Sequence, residues 1–84
     1  MGGVKWEASA KRSFARLQKE DHRAAESLLD SINLLLDNPR PPGVHPYGDD
    51  QFRMRAGFYR VLYRIVSRKP VIVAVEHVGV SNRP

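Results

Sequence analysis

Apolar residues in the first half of the chain recur with the 3.6-residue period of amphipathic helices. Ala10, Phe14 and Leu17 form one stripe of a helix predicted over residues 9–18. Asp21 is a residue type that caps helix N-termini, and Asn38-Pro39 is a stop signal. Between them the apolar positions again fall on one helix face: Ala25, Leu28, Leu29, Ile32, Leu35 and Leu36. The chain therefore starts with two helices whose apolar faces need a packing partner.

The second half of the chain has the patterns of β-strands. Residues 51–55 alternate apolar and basic side chains, residues 58–66 are aromatic and β-branched, and residues 71–78 are almost all Val, Ile and Ala, typical of a strand buried on both faces. The short breaks between these runs predict antiparallel hairpins. A short strand is also predicted at residues 4–6, before the first helix.

These elements predict one domain over residues 1–84 of the α+β class. The order is β-α-α-β-β-β, with a two-helix hairpin packed on a small, mainly antiparallel sheet. Residues 39–50 hold four of the six prolines and are predicted to be a loop. At 84 residues the domain buries only about 60% of the surface that its unfolded chain exposes.

The register of the first predicted hairpin decides which side chains share a face. A turn with an even number of residues would oppose Met54 with Tyr59 and Arg53 with Arg60, and it would separate apolar from charged residues. The apolar set would face the helices: Phe52, Met54, Tyr59, Val61, Tyr63 and Ile65. The basic set would share the open face: Arg53, Arg55, Arg60 and Arg64. Ala56 suits a primed two-residue turn poorly, so a four-residue turn of the same parity remains an alternative.

The charge of the chain is concentrated in this second half. The net charge is +5, and residues 1–39 are neutral overall. Residues 51–69 contain six basic side chains and no acidic one: Arg53, Arg55, Arg60, Arg64, Arg68 and Lys69. A planar guanidinium matches a phosphate with two parallel hydrogen bonds. These residues are predicted to bind the phosphates of a nucleic acid; the alternatives are a solvated face, or pairing with Asp49, Asp50, Glu76 or the acids of a partner protein.

Several classes of protein are disfavoured by composition. There is no cysteine, which excludes disulfides and thiolate metal sites and agrees with a reducing cytoplasm. No apolar run approaches the roughly 20 residues that cross a bilayer. Three scattered histidines have no metal-ligand spacing. We expect a cytoplasmic protein with no metal, no cofactor and no membrane contact.

Three segments carry a resemblance to a known family. They read LLDSINLLLDNP at residues 28–39, FRMRAGFYRVLYRIV at residues 52–66 and VIVAVEHVG at residues 71–79. The chain resembles the RelE/ParE superfamily of bacterial toxins over about residues 8–79. The most specific part is a basic-apolar-basic strand, a glycine turn and then Tyr-Arg-Val-Leu-Tyr-Arg. The resemblance implies the same β-α-α-β-β-β fold and an antitoxin protein, expected to be acidic, that wraps and blocks the toxin.

The resemblance also implies an activity. RelE-type members cut mRNA in the ribosomal A site without metal, by attack of a ribose 2′-hydroxyl on the adjacent phosphate. The family's basic positions fall on Arg53, Arg55 and Arg60, which are implied to hold the scissile phosphate and to stabilise its developing charge. ParE-type members instead inhibit DNA gyrase by binding. The alternatives to a ribonuclease are therefore a gyrase inhibitor and an inactive toxin fold that acts only in complex with its antitoxin.

Two departures from the family pattern concern catalysis. The usual C-terminal arginine and tyrosine are absent after Gly79, and Arg83 is the one arginine placed to substitute. The strand positions that are lysine in the best-known ribonuclease are arginine here, and a guanidinium is a poor proton acceptor. The hydroxyl proton must go elsewhere, and the candidate acceptors are Glu76, His77 and His45. The alternative is catalysis that rests mostly on orientation of the substrate.

Overall fold

The computed structural model describes residues 2–80. Its elements, in chain order, are β1 (Gly3–Trp6), α1 (Ala8–Glu20), α2 (His22–Leu34), β2 (His45–Gly48), β3 (Gln51–Ala56), β4 (Tyr59–Arg68) and β5 (Val71–Val80). The five strands form one sheet in the order β1-β5-β4-β3-β2. β1 runs parallel to β5, and the other neighbours are antiparallel. The predicted α+β class is confirmed, with one strand more than the sequence indicated.

One residue separates the two helices. Asp21 is the C-cap of α1 and the N-cap of α2, and its carboxylate accepts a hydrogen bond of 3.1 Å from the Ala24 backbone N–H. This bond satisfies a free donor of the first turn of α2, as expected for an aspartate at this position. α2 ends at Leu34, before the predicted stop at Pro39. Leu35 follows in a turn but is still buried, which explains why the helical pattern of apolar residues outlasts the helix.

The core lies between the helices and one face of the sheet. α1 packs against β5, and α2 contacts α1 and β3. The buried apolar side chains form one cluster: Ala10, Leu17, Ala25, Leu28, Ile32, Leu35, Phe52, Met54, Val61, Tyr63, Ile65, Val73, Val75 and Val78. No helix packs on the opposite face within residues 2–80, and we call it the open face. On the open face of β5 Ala74 is buried, but Ile72 is half-buried and His77 is exposed, so the predicted burial of this strand on both faces holds only at its centre.

The predicted register of the β3–β4 hairpin is wrong by two residues, although its parity is right. The turn consists of Gly57 and Phe58, so that Met54 opposes Val61 and Arg55 opposes Arg60. Gly57 has φ +62°, and a positive φ at the first turn residue alone is the pattern of a type II′ turn. Glycine takes that position and alanine stays in the ladder. Because a shift of two leaves every side chain on its face, the predicted division of the strands holds.

The predicted loop over residues 39–50 is wrong at its end. Residues 45–48 form β2, an edge strand in which His45 opposes Arg53 and Pro46 opposes Phe52. Proline lacks the N–H of an inner strand but is compatible with an edge strand, where one side of the backbone is unpaired. The register shifts between Pro46 and Gly48. β2 thus adds a short row of side chains beside β3.

A bulge in β5 turns one acidic side chain towards the basic strands. Leu62 opposes His77 whereas Tyr63 opposes Val75, so Glu76 is the extra residue on β5. The insertion lets Val75 and Val78 both face the core, although they are three residues apart. It therefore decides which residues of the last strand accompany the arginines of β4.

Tyr63 is a buried ionisable residue whose environment can be tested by measuring stability against pH. Its side chain is fully buried, and its hydroxyl donates a 2.6 Å hydrogen bond to the Pro39 carbonyl oxygen. Burial raises the pKa of Tyr63 to about 12, against the opposing effect of the Arg40 charge. Because the phenol is about pKa 10 in an unfolded chain, its contribution to stability is complete below about pH 10 and is lost as the pH rises through the folded value.

We expect Tyr63→Phe to lower the free energy of unfolding by about 1–2 kcal/mol at pH 7, because it leaves the Pro39 carbonyl without its donor. The variant should also lose less stability than the wild type between about pH 10 and 12. Urea unfolding across this range measures both effects. Tyr47→Phe, at an exposed tyrosine, is the control. An alkaline loss of stability identical in Tyr63→Phe and the wild type would contradict the assignment.

Candidate functional site

Three arginines meet at the turn end of the β3–β4 hairpin, on the open face. Arg55 and Arg60 are directly opposed, and Arg53 is two residues before Arg55 on the same side of β3. With Gly43 and His45, they line a shallow pocket of about 270 Å³. We call Arg53, Arg55 and Arg60 the arginine cluster. Two strands thus bring together the residues at which the sequence placed its phosphate site.

The remaining arginines of β4 differ from the cluster because carboxylates neutralise them. Arg64 Nε lies 3.4 Å from Glu76 Oε2, and Arg68 Nη2 lies 2.7 Å from Asp50 Oδ1. Glu76 also accepts a 2.9 Å hydrogen bond from the Gln51 side chain. Within residues 2–80, no member of the arginine cluster has an ion pair with a carboxylate. The uncompensated positive charge of β3 and β4 is therefore concentrated at the hairpin turn.

The six basic residues predicted to bind phosphate do not form one site. Lys69 lies in the turn between β4 and β5, at the opposite end of β4 from Arg60. Nine residues of extended strand span about 30 Å, close to the longest dimension of the molecule, 35 Å. Arg68 lies beside Lys69, and Arg64 is between the two ends. A single phosphate can reach the arginine cluster or the Lys69 end, but not both.

The three candidate proton acceptors occupy different positions. His45 lies in the pocket, opposite Arg53. His77 is on the open face opposite Leu62, and its imidazole lies beside Gly79, where an added Cβ would come within 3.1 Å of Nε2. Glu76 is held by Arg64 and Gln51. Arg83, the C-terminal candidate, lies outside the described residues.

The sequence indicates His45 as a candidate proton acceptor but not its position beside the arginines, because residues 39–50 have the composition of a loop. The residues Gly48-Asp49-Asp50 have turn chemistry and directly precede a strand, which is a signal for a hairpin. Reading that signal would have paired residues 45–48 with β3. Asp50 has φ +56°, a left-handed conformation that aspartate tolerates better than most residues.

The arrangement is suited to binding an anion. Like charges directly opposed in a sheet are destabilising, so Arg55 and Arg60 repel each other until a negative group lies between them. Each guanidinium can then donate two hydrogen bonds to phosphate oxygens. Within residues 2–80, no group of three or more His, Asp or Glu side chains could hold a metal ion. None of the helices in this part of the chain is long and apolar enough to cross a membrane.

Solved structures define the class of this fold. The chain is similar to the isolated Escherichia coli RelE toxin, with 21% identity, 96% of this chain and 85% of that chain covered, and a TM-score of 0.78. A YoeB/ParE toxin from Agrobacterium tumefaciens matches with 20% identity, 92% and 95% coverage and a TM-score of 0.75. The E. coli RelBE toxin–antitoxin complex matches with 23% identity, 95% and 96% coverage and a TM-score of 0.75. The fold is that of the RelE-like toxins.

A family model gives the particular family. The model of the ParE toxin of type II toxin–antitoxin systems, parDE, matches residues 4–79. The chain therefore belongs to the ParE toxin family of type II toxin–antitoxin systems, within the RelE/ParE superfamily that its strand motifs indicated. No curated protein matches the sequence significantly.

Proposed function

We propose that this toxin is a ribosome-dependent endoribonuclease, which cleaves mRNA by metal-independent attack of a 2′-hydroxyl on the adjacent phosphate. The observation that carries the proposal is the arginine cluster, three guanidiniums without carboxylate partners among the described residues, around a pocket on an open sheet face. Such a site matches the scissile phosphate of a single-stranded RNA. The proposed ribosomal target implies a cytoplasmic protein.

The cluster supplies two of the contributions that phosphodiester cleavage needs. Guanidinium donors that hold the phosphate also neutralise the charge that develops on its oxygens, and one such donor is commonly worth on the order of a hundredfold in rate. A phosphate held from two strands is also oriented. The 2′-hydroxyl of the adjacent ribose can then attack phosphorus in line with the leaving 5′-oxygen. Arg53 and Arg55 from β3 and Arg60 from β4 are proposed to share these roles.

Arg64, Arg68 and Lys69 remain predicted RNA contacts along the rest of β4. Arg64 and Arg68 would have to exchange Glu76 and Asp50 for phosphates, which reduces the net gain from each contact. One phosphate held by the arginine cluster alone would give a slope of about −0.7 for log K against log salt concentration with single-stranded RNA. A steeper slope would indicate that the paired arginines also contribute.

The proposal is tested with the wild-type protein in two assays. Purified protein is mixed with ribosomes carrying a defined mRNA, and new 5′ ends are mapped by primer extension; the same preparation is added to a DNA gyrase supercoiling assay. We expect cleavage at A-site codons and undisturbed supercoiling. Inhibited supercoiling with intact mRNA would replace the proposal by the second candidate.

That second candidate is inhibition of DNA gyrase by binding. The match of residues 4–79 to the ParE toxin model favours it. The arginine cluster would then contact an acidic surface or DNA phosphates rather than a scissile bond. The two functions differ in whether a covalent bond is broken, so the two assays separate them.

We also propose an antitoxin partner with an acidic segment that covers the arginine cluster. Relatives of this fold have been crystallised as toxin–antitoxin complexes, among them E. coli RelBE and an archaeal RelE–RelB complex from Pyrococcus horikoshii. Carboxylates of the partner would relieve the repulsion between Arg55 and Arg60 and exclude RNA from the same pocket. Binding to the antitoxin and binding to RNA would then be mutually exclusive.

A further inference from the structure

We infer that His45 is the group that accepts the proton of the attacking 2′-hydroxyl. The inference rests on the proposed ribonuclease function and adds the proton acceptor that the arginine cluster lacks. Guanidiniums remain protonated at ordinary pH and cannot take this role, whereas an imidazole changes its charge between about pH 5 and 8. A histidine within reach of the bound phosphate is therefore the chemistry that the site needs.

The register of β2 brings His45 to the phosphate site. His45 and Arg53 are directly opposed across the antiparallel β2–β3 pair, where Cα atoms are about 4.5–5.5 Å apart and opposed side chains share a face. His45 is exposed and lines the same pocket as the three arginines. The charged groups that line this pocket with it are Arg53 and Arg55 from β3 and Arg60 from β4.

The alternatives are less well placed. Glu76 is held by the Arg64 ion pair and the Gln51 hydrogen bond, so accepting a proton would weaken both. The imidazole of His77 lies beside Gly79, which opposes Arg60, so this histidine is next to one side of the cluster. It does not line the arginine pocket, and Leu62 lies between it and Arg53 of β3. His45 is the histidine that the pocket and the strand register both assign to the arginine cluster.

The proposed step can be written in full. The 2′-oxygen forms a bond to phosphorus while its proton passes to a ring nitrogen of His45, and the bond from phosphorus to the 5′-oxygen breaks. The leaving 5′-oxygen takes a proton from water, and His45 returns its proton to solvent. The products are an upstream 2′,3′-cyclic phosphate and a downstream 5′-hydroxyl, with no redox change and no metal.

The test measures single-turnover cleavage of ribosome-bound mRNA by the wild type, His45→Gln and His77→Gln across about pH 5.5–8.5. We expect His45→Gln to slow cleavage by about a hundredfold or more and to lose the rise of rate with pH in the imidazole range. Its affinity for an mRNA with a 2′-deoxy nucleotide at the cleavage site should match that of the wild type, since the arginines remain. His22→Gln, at an exposed histidine on α2, is the matched control.

Each outcome has a distinct meaning. Unchanged rate and pH profile in His45→Gln, or the large loss in His77→Gln instead, overturns the role of His45 while the ribonuclease function stands. Products with a 3′-hydroxyl overturn the step itself. Absence of cleavage by the wild type overturns both the proposed function and this inference. A loss of affinity for the 2′-deoxy mRNA equal to the loss of rate would make His45 a binding residue and contradict the proton transfer.

Discussion

Replacement of Arg53, Arg55 and Arg60 together by alanine is expected to slow mRNA cleavage by at least about a thousandfold. The three side chains donate to the same phosphate in the proposed site, and effects of groups that act as a unit are not additive, so each single variant is expected to show much of the total loss. Transcript-end mapping after induction, together with growth of the host, measures the effect in cells.

The control variant is Arg64→Ala/Arg68→Ala, which removes two positive charges from β4 outside the arginine cluster. It tests whether any loss of positive charge slows cleavage. Because these residues have carboxylate partners at the surface, their loss is expected to change stability by less than about 1 kcal/mol each. Cleavage by this control should fall far less than in the triple variant, because only RNA contacts outside the scissile phosphate are lost. Equal losses in the two variants would mean that general attraction to RNA, rather than a phosphate site, explains the activity.

Unfolding is not expected to explain the loss of activity in the triple variant. Arg55 and Arg60 are opposed like charges, and their removal relieves repulsion in the sheet. The triple variant should therefore unfold at a urea concentration equal to or above that of the wild type. A marked loss of stability would show that these arginines have structural contacts beyond those seen among the described residues.

Ile32→Ala is expected to have the largest effect on stability, about 2–5 kcal/mol. Ile32 is fully buried on α2 in the one core cluster, and removing three carbons there leaves a cavity between helix and sheet. In a domain of 84 residues, each kcal/mol lowers the melting temperature by about 4–8 °C, so the variant should melt far below the wild type. Thermal and urea unfolding followed by circular dichroism measure both quantities.

Ile32→Val is the matched control, since it removes one methyl group and is expected to cost about 0.5–1.5 kcal/mol. The ratio of the two losses tests the packing of α2 on the sheet without a change in polarity. If Ile32→Ala cost no more than Ile32→Val, the site would have relaxed to fill the cavity.

The helix and strand patterns predicted most of the fold because they depend on neighbours along the chain. Asp21 was identified as an N-cap from its type and its position before an apolar period, and its side-chain bond to Ala24 confirms it. The division of β3 and β4 into a core face and an arginine face also follows from alternation alone. A register error of two residues did not disturb it, because the period of a strand is two.

The parts that were missed depend on long-range pairing. β2 was predicted as a loop because its composition is that of a turn; its strand conformation comes from pairing with β3. The bulge at Glu76 likewise exists only because β5 must keep Val75 and Val78 against the core. No local pattern marks the bulge, and the turn signal at Gly48-Asp49-Asp50 indicates a hairpin without giving the register of β2.

The sequence by itself determined the class of the fold, the family motifs and the face that carries the arginines, since these follow from periodicity and residue type. Only the tertiary structure decided which arginines are available. Arg64 and Arg68 form ion pairs with Glu76 and Asp50. The three residues of the arginine cluster instead share a pocket with His45. The physical reason is that each of these ion pairs joins residues far apart in the chain. Asp50 is placed by the turn between β2 and β3, and Glu76 is placed by the bulge in β5.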